Sequence, residues 1–418
     1  MVKRVKPPSD EVEDLDGPDV AVIESDVDPE SLWEPIRRLT KDLRDSAGLL
    51  RPEQVRWLVQ AYYRYQHFRT ESEQHVKAAE KAEQPNELIT WTHDAVRFME
   101  NDLRRALHSF ASHYHVGRWM LARPGIGPVI TAGLLTYIDI RCYDTVGKIW
   151  RLAGVDPSRH WNSRDDATAM VQAAGISDKF DEAALRRLAD LAGYRYEQLE
   201  EVYKEGFHKH KKKTALSKFL ARRPWIADLK TLVTYKLGES IVKFQNKEGN
   251  IYGPIFANRK AYEIDRNLRG ELVDQAAAGA ARVAKTTIAW PWFAGCYPSN
   301  IWEGWLMLDL EERKSRMAKL RLQPGQGVPM LPPAHIHARA RRYAAKMFLS
   351  HLHHVMYADF FGTLPPKPFS VTLPGHSHFV PPPGWPDTAL GGVGLAEMYK
   401  NTEPAQPSLH NEDNGEIE

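Results

Sequence analysis

A glycine-flanked turn, PGIGP at residues 124–128, runs directly into the apolar segment VITAGLLTYIDI, and this junction limits how the chain can fold. Glycine tolerates the positive φ angles of a tight turn and lets another backbone approach closely. Pro128 suits the first position of a helix, where its missing N–H costs nothing. Leu121 and Ile126 are placed to pack against the turn. The segment therefore predicts a helix-hairpin-helix, two helices joined by a short turn.

The start of the second predicted helix also has a chemical consequence. The first N–H groups of a helix have no partner within the helix, and the helix dipole favours an anion at that end. The sequence therefore predicts that the turn binds a nucleic-acid backbone, through Arg123, Gly125, Ile126, Gly127 and Val129. The alternative is an ordinary turn that only packs two helices together.

Length and composition are those of a globular protein with two or three domains: 418 residues, 43% hydrophobic and 26% charged. No apolar run approaches the roughly 18 residues of a membrane span. The N-terminus turns acidic where a secretory signal would be apolar. Cys142 and Cys296 form neither a disulfide framework nor a metal-ligand pattern. We expect a cytoplasmic protein without membrane association, with no cofactor, and with a divalent metal only if a catalytic site exists.

Charge is distributed unevenly along the chain. The formal net charge is +2, yet residues 1–30 carry −7 and residues 402–418 carry −5, which leaves +14 on residues 31–401. A basic body between acidic tails is typical of a polyanion binder. The alternative is an ordinary solvated surface, because charge alone does not demonstrate nucleic-acid binding.

Helical spacing of apolar residues predominates, so the predicted fold class is mostly α: a multi-helix protein with a central helix-hairpin-helix and a Pro-rich, extended C-terminal segment. Proline restarts predict helices beginning near Pro52 and Pro333, and further helices are expected over 92–113 and 254–284. The predicted domains are a disordered acidic tail, an N-terminal helical domain, a helical domain containing the hairpin, and a Pro-rich strap with an acidic tail, at 1–30, 31–118, 119–361 and 362–418.

Two further basic clusters could contact phosphates. The run FHKHKKK contains Lys209, Lys211, Lys212 and Lys213, although a solvated helix start explains it equally well. The late helix carries a basic stripe of Arg339, Arg342 and Lys346 beside an apolar face.

Histidines and tryptophans offer weaker signals. His351 and His354 have the spacing of two metal ligands, but nothing completes the set, so packing and hydrogen bonding is the preferred interpretation. Four tryptophans could stack on bases, or could pin a long loop to the core: Trp290, Trp292, Trp302 and Trp305.

The order of elements after the turn, PGIGPVITAGLLTYIDIRCYDTVGKIWRLAGVDPS, resembles the C-terminal transposase domain of insertion-sequence transposases of the IS-one-ten (IS-one-sixteen) group, the bridge-RNA-guided recombinases. The resemblance implies DNA transposition or recombination, with DNA or structured RNA as partner and a homo-oligomer or a catalytic partner protein. That family begins with a metal-binding RuvC-like domain, for which residues 1–120 show no characteristic strand.

The resemblance also implies a serine nucleophile shortly after the Val155-Asp156-Pro157 ending. Ser163 and Ser158 are the nearest candidates, although neither has an evident activating base and a serine there can simply cap a turn. DNA glycosylases, which also use a helix-hairpin-helix, place a catalytic aspartate where Asp144 stands, and a helix N-cap is the simpler role for it. Whether the protein is an enzyme stays open. The alternatives are a glycosylase-like repair enzyme and a non-catalytic helical scaffold.

Overall fold

The computed structural model describes residues 41, 44, 46–156, 161–177, 179–205, 212–366, 380–386, 391–400 and 404. These residues belong to a unit spanning Lys41–Glu418. Their secondary structure is mostly α-helical, as predicted, with one isolated parallel bridge between Tyr114 and Val393 and no strand within the described ranges.

The first half of the described chain is built from helices on which the turn depends. They are α1 (Pro52–Lys81), α2 (Glu87–His113), α3 (His115–Leu121), α4 (Pro128–Tyr137) and α5 (Val146–Leu152). Pro52 occupies the first turn of α1, as its sequence position predicts. Asn86 caps α2 by accepting a hydrogen bond from the Leu88 amide (3.0 Å), so α2 begins five residues before the predicted start.

Helix α4 lies at the centre of this half, packed against both α1 and α2. Its nine residues after Pro128 are all buried. A helix that is apolar all round has no solvent face, so it needs neighbours on every side. The packing therefore fixes the orientation of α4 and leaves only its first residues near the surface.

The middle of the chain forms a small helical core of its own. It contains α6 (Arg164–Ala173), α7 (Glu182–Ala192), α8 (Tyr196–Glu205) and α9 (Lys212–Leu220). Their buried faces meet around leucines such as Leu185, Leu188 and Leu216. A continuous helical segment follows, made of α10 (Ala227–Thr231), a π-helical stretch (Leu232–Leu237) and α11 (Gly238–Lys243).

The last third contains α12 (Tyr252–Leu268), α13 (Val273–Arg282), α14 (Trp290–Phe293), α15 (Leu310–Lys319), α16 (Pro333–Phe361) and α17 (Leu395–Tyr399). The single helix predicted over 254–284 is wrong, because the chain turns at Gly270, whose φ is +77°. The late helix has its predicted bounds.

The tryptophan-rich loop packs inward. Trp292, Trp302 and Trp305 are buried, and their rings lie within 5.5 Å of one another. This confirms that these three tryptophans pin the loop to the core, whereas Trp290 is only partly buried. They are not available as an open platform for bases.

Residues near the C-terminus return to the N-terminal helices. The Val393 amide donates to the His113 carbonyl (2.9 Å), and the His115 amide donates to the Val393 carbonyl (2.9 Å). The hydroxyl of Tyr399 reaches the carbonyl of Ile138 (3.3 Å). Within the part of the chain that the structure describes, no helix has the length and apolar composition needed to cross a membrane.

Candidate nucleic-acid interface

The predicted turn connects two helices that pack against each other, α3 and α4. Gly125 has a φ of +85°, and the Ile126 amide donates to the Arg123 carbonyl (3.0 Å), which closes the turn. The side chains of Ile126 and Val129 are buried, so these residues can offer a ligand only their backbone.

The two glycines of the turn have different surroundings. A side chain at Gly125 would lie about 3.1–3.2 Å from Phe244 and from the Ser240 carbonyl, and the Ser240 hydroxyl donates to the Gly125 carbonyl. Gly127 has nothing within 4 Å of where its Cβ would stand. Gly125 therefore holds the turn against α11, whereas Gly127 faces open space.

Gly127 is also the N-cap of α4, and it has no side chain with which to cap the helix. The amides of Val129 and Ile130 are among the first donors of the helix, which cannot bond within it. Together with the dipole of this ten-residue helix, they make the surface beside Gly127 favourable for an anion.

The turn lines a cleft of about 790 Å³ between α1, α2 and the α10–α11 segment. Among its described lining residues are one carboxylate, Glu239, and five basic side chains: Arg104, Arg123, Lys236, Lys243 and Lys247. Glu239 is paired with Arg341. The cleft is therefore strongly electropositive around the start of α4.

One helical segment places three of these lysines. Lys236, Lys243 and Lys247 are seven and four residues apart, which brings them to one side of the α10–α11 segment and the turn after it. The Lys236 ammonium lies 4.3 Å from the ring centre of Tyr63, and burial lowers its pKa. Lys243 and Lys247 are exposed and available to a ligand.

A second cleft of about 700 Å³ shares Arg104 and Pro128 with the first. Its described lining includes no carboxylate, and its cationic or titratable side chains are Arg44, Arg104, Arg105, His108, His113 and Arg118. Arg105 pairs with Asp102 (3.0 Å) and Arg118 donates to the Ser112 carbonyl, so both guanidinium groups are held in place. The start of α4 thus lies between two basic concavities, which we call the basic clefts.

Arg123 is less accessible than its position in the turn predicts. Its guanidinium donates to the Pro383 carbonyl (2.8 Å), as does the Trp119 indole (2.8 Å). Residues 380–386, part of the predicted Pro-rich strap, therefore hold this arginine. We assign it to the edge of the cleft.

The basic stripe predicted on α16 does not act as a unit. Arg339 binds the fully buried carboxylate of Glu263 (2.8 Å) and Gln275 (2.9 Å), so it is a structural ion-pair residue. The Lys346 ammonium lies 3.9 Å from the ring centre of Trp150, and burial lowers its pKa. Arg342 is exposed, and its pKa is lowered by local desolvation and by Arg339 and Arg341.

Only part of the basic run at 207–213 falls within the described structure. Lys209 and Lys211 lie outside the described residues. Lys212 begins α9, with its ammonium 4.3 Å from the ring centre of Tyr203, and Lys213 is exposed. These two lysines lie in the small middle core and do not line either basic cleft.

The catalytic candidates have structural roles where they can be seen. Ser163 caps α6: its hydroxyl accepts from the Asp166 amide (3.1 Å) and donates to the Asp166 carboxylate (2.7 Å). Asp144 is exposed and pairs with Lys148 (2.7 Å). The N-cap interpretation of Asp144 is wrong, because Thr145 occupies the N-cap position of α5. Ser158 lies outside the described residues.

The histidine pair on α16 is engaged by the protein. The Nδ1 atom of His351 lies 2.9 Å from the Tyr252 hydroxyl, and its Nε2 atom lies 3.0 Å from the Val380 carbonyl. This confirms the hydrogen-bonding role predicted for His351. No group of three metal-ligating side chains occurs among the described residues.

Sequence reasoning missed most of the residues that line the basic clefts. Arg104 and Arg105 stand in a long amphipathic helix, where charges usually indicate a solvated face. The spacing of Lys236, Lys243 and Lys247 was the one available signal. Comparisons of the chain with protein-family models, with curated proteins and with solved structures gave no match.

Proposed function

We propose that this protein is a DNA-binding protein that holds the sugar-phosphate backbone at the start of α4. The observation that carries the proposal is the position of an uncapped helix N-terminus between two basic clefts. Backbone amides and arginine or lysine side chains are the groups that most often contact phosphates. Such contacts bind without reading base sequence.

The resemblance of residues 124–158 to a transposase domain supports mobile DNA as the target, in a cytoplasmic setting. Residues 46–120 form helices and not an RNase H-type sheet, so a catalytic partner protein is the proposed source of any strand transfer. Structured RNA is the competing ligand, and a homo-oligomer would present several such turns to one nucleic acid.

A single substitution tests the role of the helix start without removing a packed residue. Gly127→Asp places a carboxylate at the N-cap, where it can bind the Val129 and Ile130 amides itself and repel phosphate. We expect the thermal unfolding temperature to be unchanged or slightly raised, and the affinity for a short fluorescein-labelled DNA duplex to fall about tenfold or more.

Gly127→Asn is the matched control, because asparagine can cap the same amides without a negative charge. We expect its affinity for the duplex to lie between those of wild type and Gly127→Asp. Gly125 is unsuitable as a test, since a side chain there strains the turn and crowds Phe244. Equal binding by wild type and Gly127→Asp, or wild-type binding that does not weaken with added salt, would contradict the proposal. Tighter binding of a structured RNA would reassign the ligand.

A further inference from the structure

A second kind of site lies away from the basic clefts. A cavity of about 420 Å³ is enclosed by α12, α15, the start of α16 and the tryptophan-rich loop, and it shares no lining residue with either cleft. Small-molecule sites usually occupy roughly 300–1,000 Å³, so the cavity is large enough for a small ligand. Its walls include Trp302 and Trp305.

Two residues that line the cavity carry buried N–H groups without an acceptor. Trp302 is 5% exposed, Arg341 is 8% exposed, and neither the indole Nε1 nor the guanidinium Nε has a hydrogen-bond partner among the described residues. A buried donor without an acceptor costs free energy. Two such donors on one cavity indicate that an acceptor-rich ligand belongs there.

The charge of the cavity defines that ligand further. Lys260, Arg313 and His337 line it beside Arg341, and no carboxylate is among its described lining residues. Burial and the neighbouring Arg313 lower the pKa of Lys260, and burial and Lys260 lower the pKa of His337. Arg341 also pairs with Glu239, which lies outside the cavity. The group therefore holds several cations close together, an arrangement that an anion would stabilise.

We propose that this cavity binds the phosphate group of a phosphate monoester. Trp302 Nε1–H and Arg341 Nε–H would donate to its oxygens, while Lys260 and Arg313 would balance its charge. A phosphate dianion offers three terminal oxygens and matches several donors and cations, whereas a carboxylate offers two oxygens and one charge. Because Trp302 and Trp305 pack against each other (ring centres 5.5 Å apart), they form an apolar wall and the rest of the ligand is small.

Isothermal titration calorimetry on the full chain tests this site, with ribose 5-phosphate as probe, inorganic phosphate as the minimal anion and ribose as the uncharged control. We expect ribose 5-phosphate to bind saturably and ribose not to bind. Trp302→Phe keeps the ring and removes the donor, and Lys260→Gln removes a charge. Each should weaken binding about tenfold. Trp290→Phe and Lys314→Gln, which lie outside the cavity, should bind as the wild type does.

Two further arms decide the source of the phosphate and separate this site from the clefts. A preference for a 5′-phosphorylated over a 5′-hydroxyl single strand that disappears in Trp302→Phe would assign the phosphate to a nucleic-acid end. Binding of ribose 5-phosphate without that preference assigns it to a free metabolite. Gly127→Asp should leave ribose 5-phosphate binding unchanged. Absence of saturable binding by ribose 5-phosphate, inorganic phosphate and the phosphorylated strand, or binding unaffected by both Trp302→Phe and Lys260→Gln, would overturn the proposal.

Discussion

Two buried histidines on α16 make the stability of the protein depend on pH. Burial lowers the pKa of His351 and of His353 to about 4, from an ordinary value of 6.5. The unfolded chain therefore takes up protons before the folded protein does, and stability present above pH 6.5 is lost as the pH falls toward 4. Each histidine should cost about 2 kcal/mol of unfolding free energy by pH 5.

Urea unfolding at pH 7.5 and pH 5 measures this loss. We expect His351→Gln to lose less stability between the two pH values than wild type does, because glutamine does not titrate. The exposed His75→Gln is the matched control and should keep the wild-type pH dependence. An identical loss in His351→Gln and wild type would show that other groups carry the effect.

At this scale the sequence identified residues better than it identified roles. It marked both glycines of the turn, yet only the structure separates them, because the group that crowds Gly125 is Ser240, 115 positions away. Similarly, Arg339 reads as part of a surface stripe until the buried carboxylate of Glu263 is placed beside it. Long-range partners of this kind leave no periodic signal in a single sequence.

At the scale of elements, the α10–α11 segment determines how much charge the first basic cleft offers. Lys243 and Lys247 are its exposed lysines. Each lysine that no longer binds a phosphate should reduce the slope of log affinity against log salt by about 0.9. We therefore expect Lys243→Gln/Lys247→Gln to lower that slope by about two for a DNA duplex, measured by fluorescence anisotropy over a salt series.

The double variant Lys314→Gln/Lys319→Gln serves as the control, since both lysines are exposed on α15 and line neither cleft. It removes the same charge from the protein. If both double variants change the slope equally, binding follows net charge and the cleft has no special role.

Helix starts were the elements most readily predicted, because proline and capping residues act locally. Pro52, Pro128 and Pro333 each stand in the first turn of a helix, as expected. The π-helical stretch at Leu232–Leu237 and the break at Gly270 were not foreseen. Both depend on tertiary packing or on one residue within a periodic pattern, so spacing alone could not reveal them.

At the scale of the whole molecule, the C-terminal helix α17 is integral to the fold. Leu395 is fully buried, and its amide donates to the Asp359 carboxylate of α16 (2.7 Å). We expect Leu395→Ala to lower the free energy of unfolding by about 2–5 kcal/mol, measured by urea denaturation. The exposed Leu364→Ala should change it little, and equal effects of the two would mean that α17 is not stably packed.

The contact between Tyr399 and Ile138 spans 261 positions of sequence, and it has a consequence for biosynthesis. At roughly 5–20 residues per second, a ribosome needs on the order of 10–50 seconds to make the intervening chain. Throughout that interval the nascent polypeptide lacks the partner that covers the segment just after α4. That surface is therefore where a chaperone would find the emerging chain most accessible.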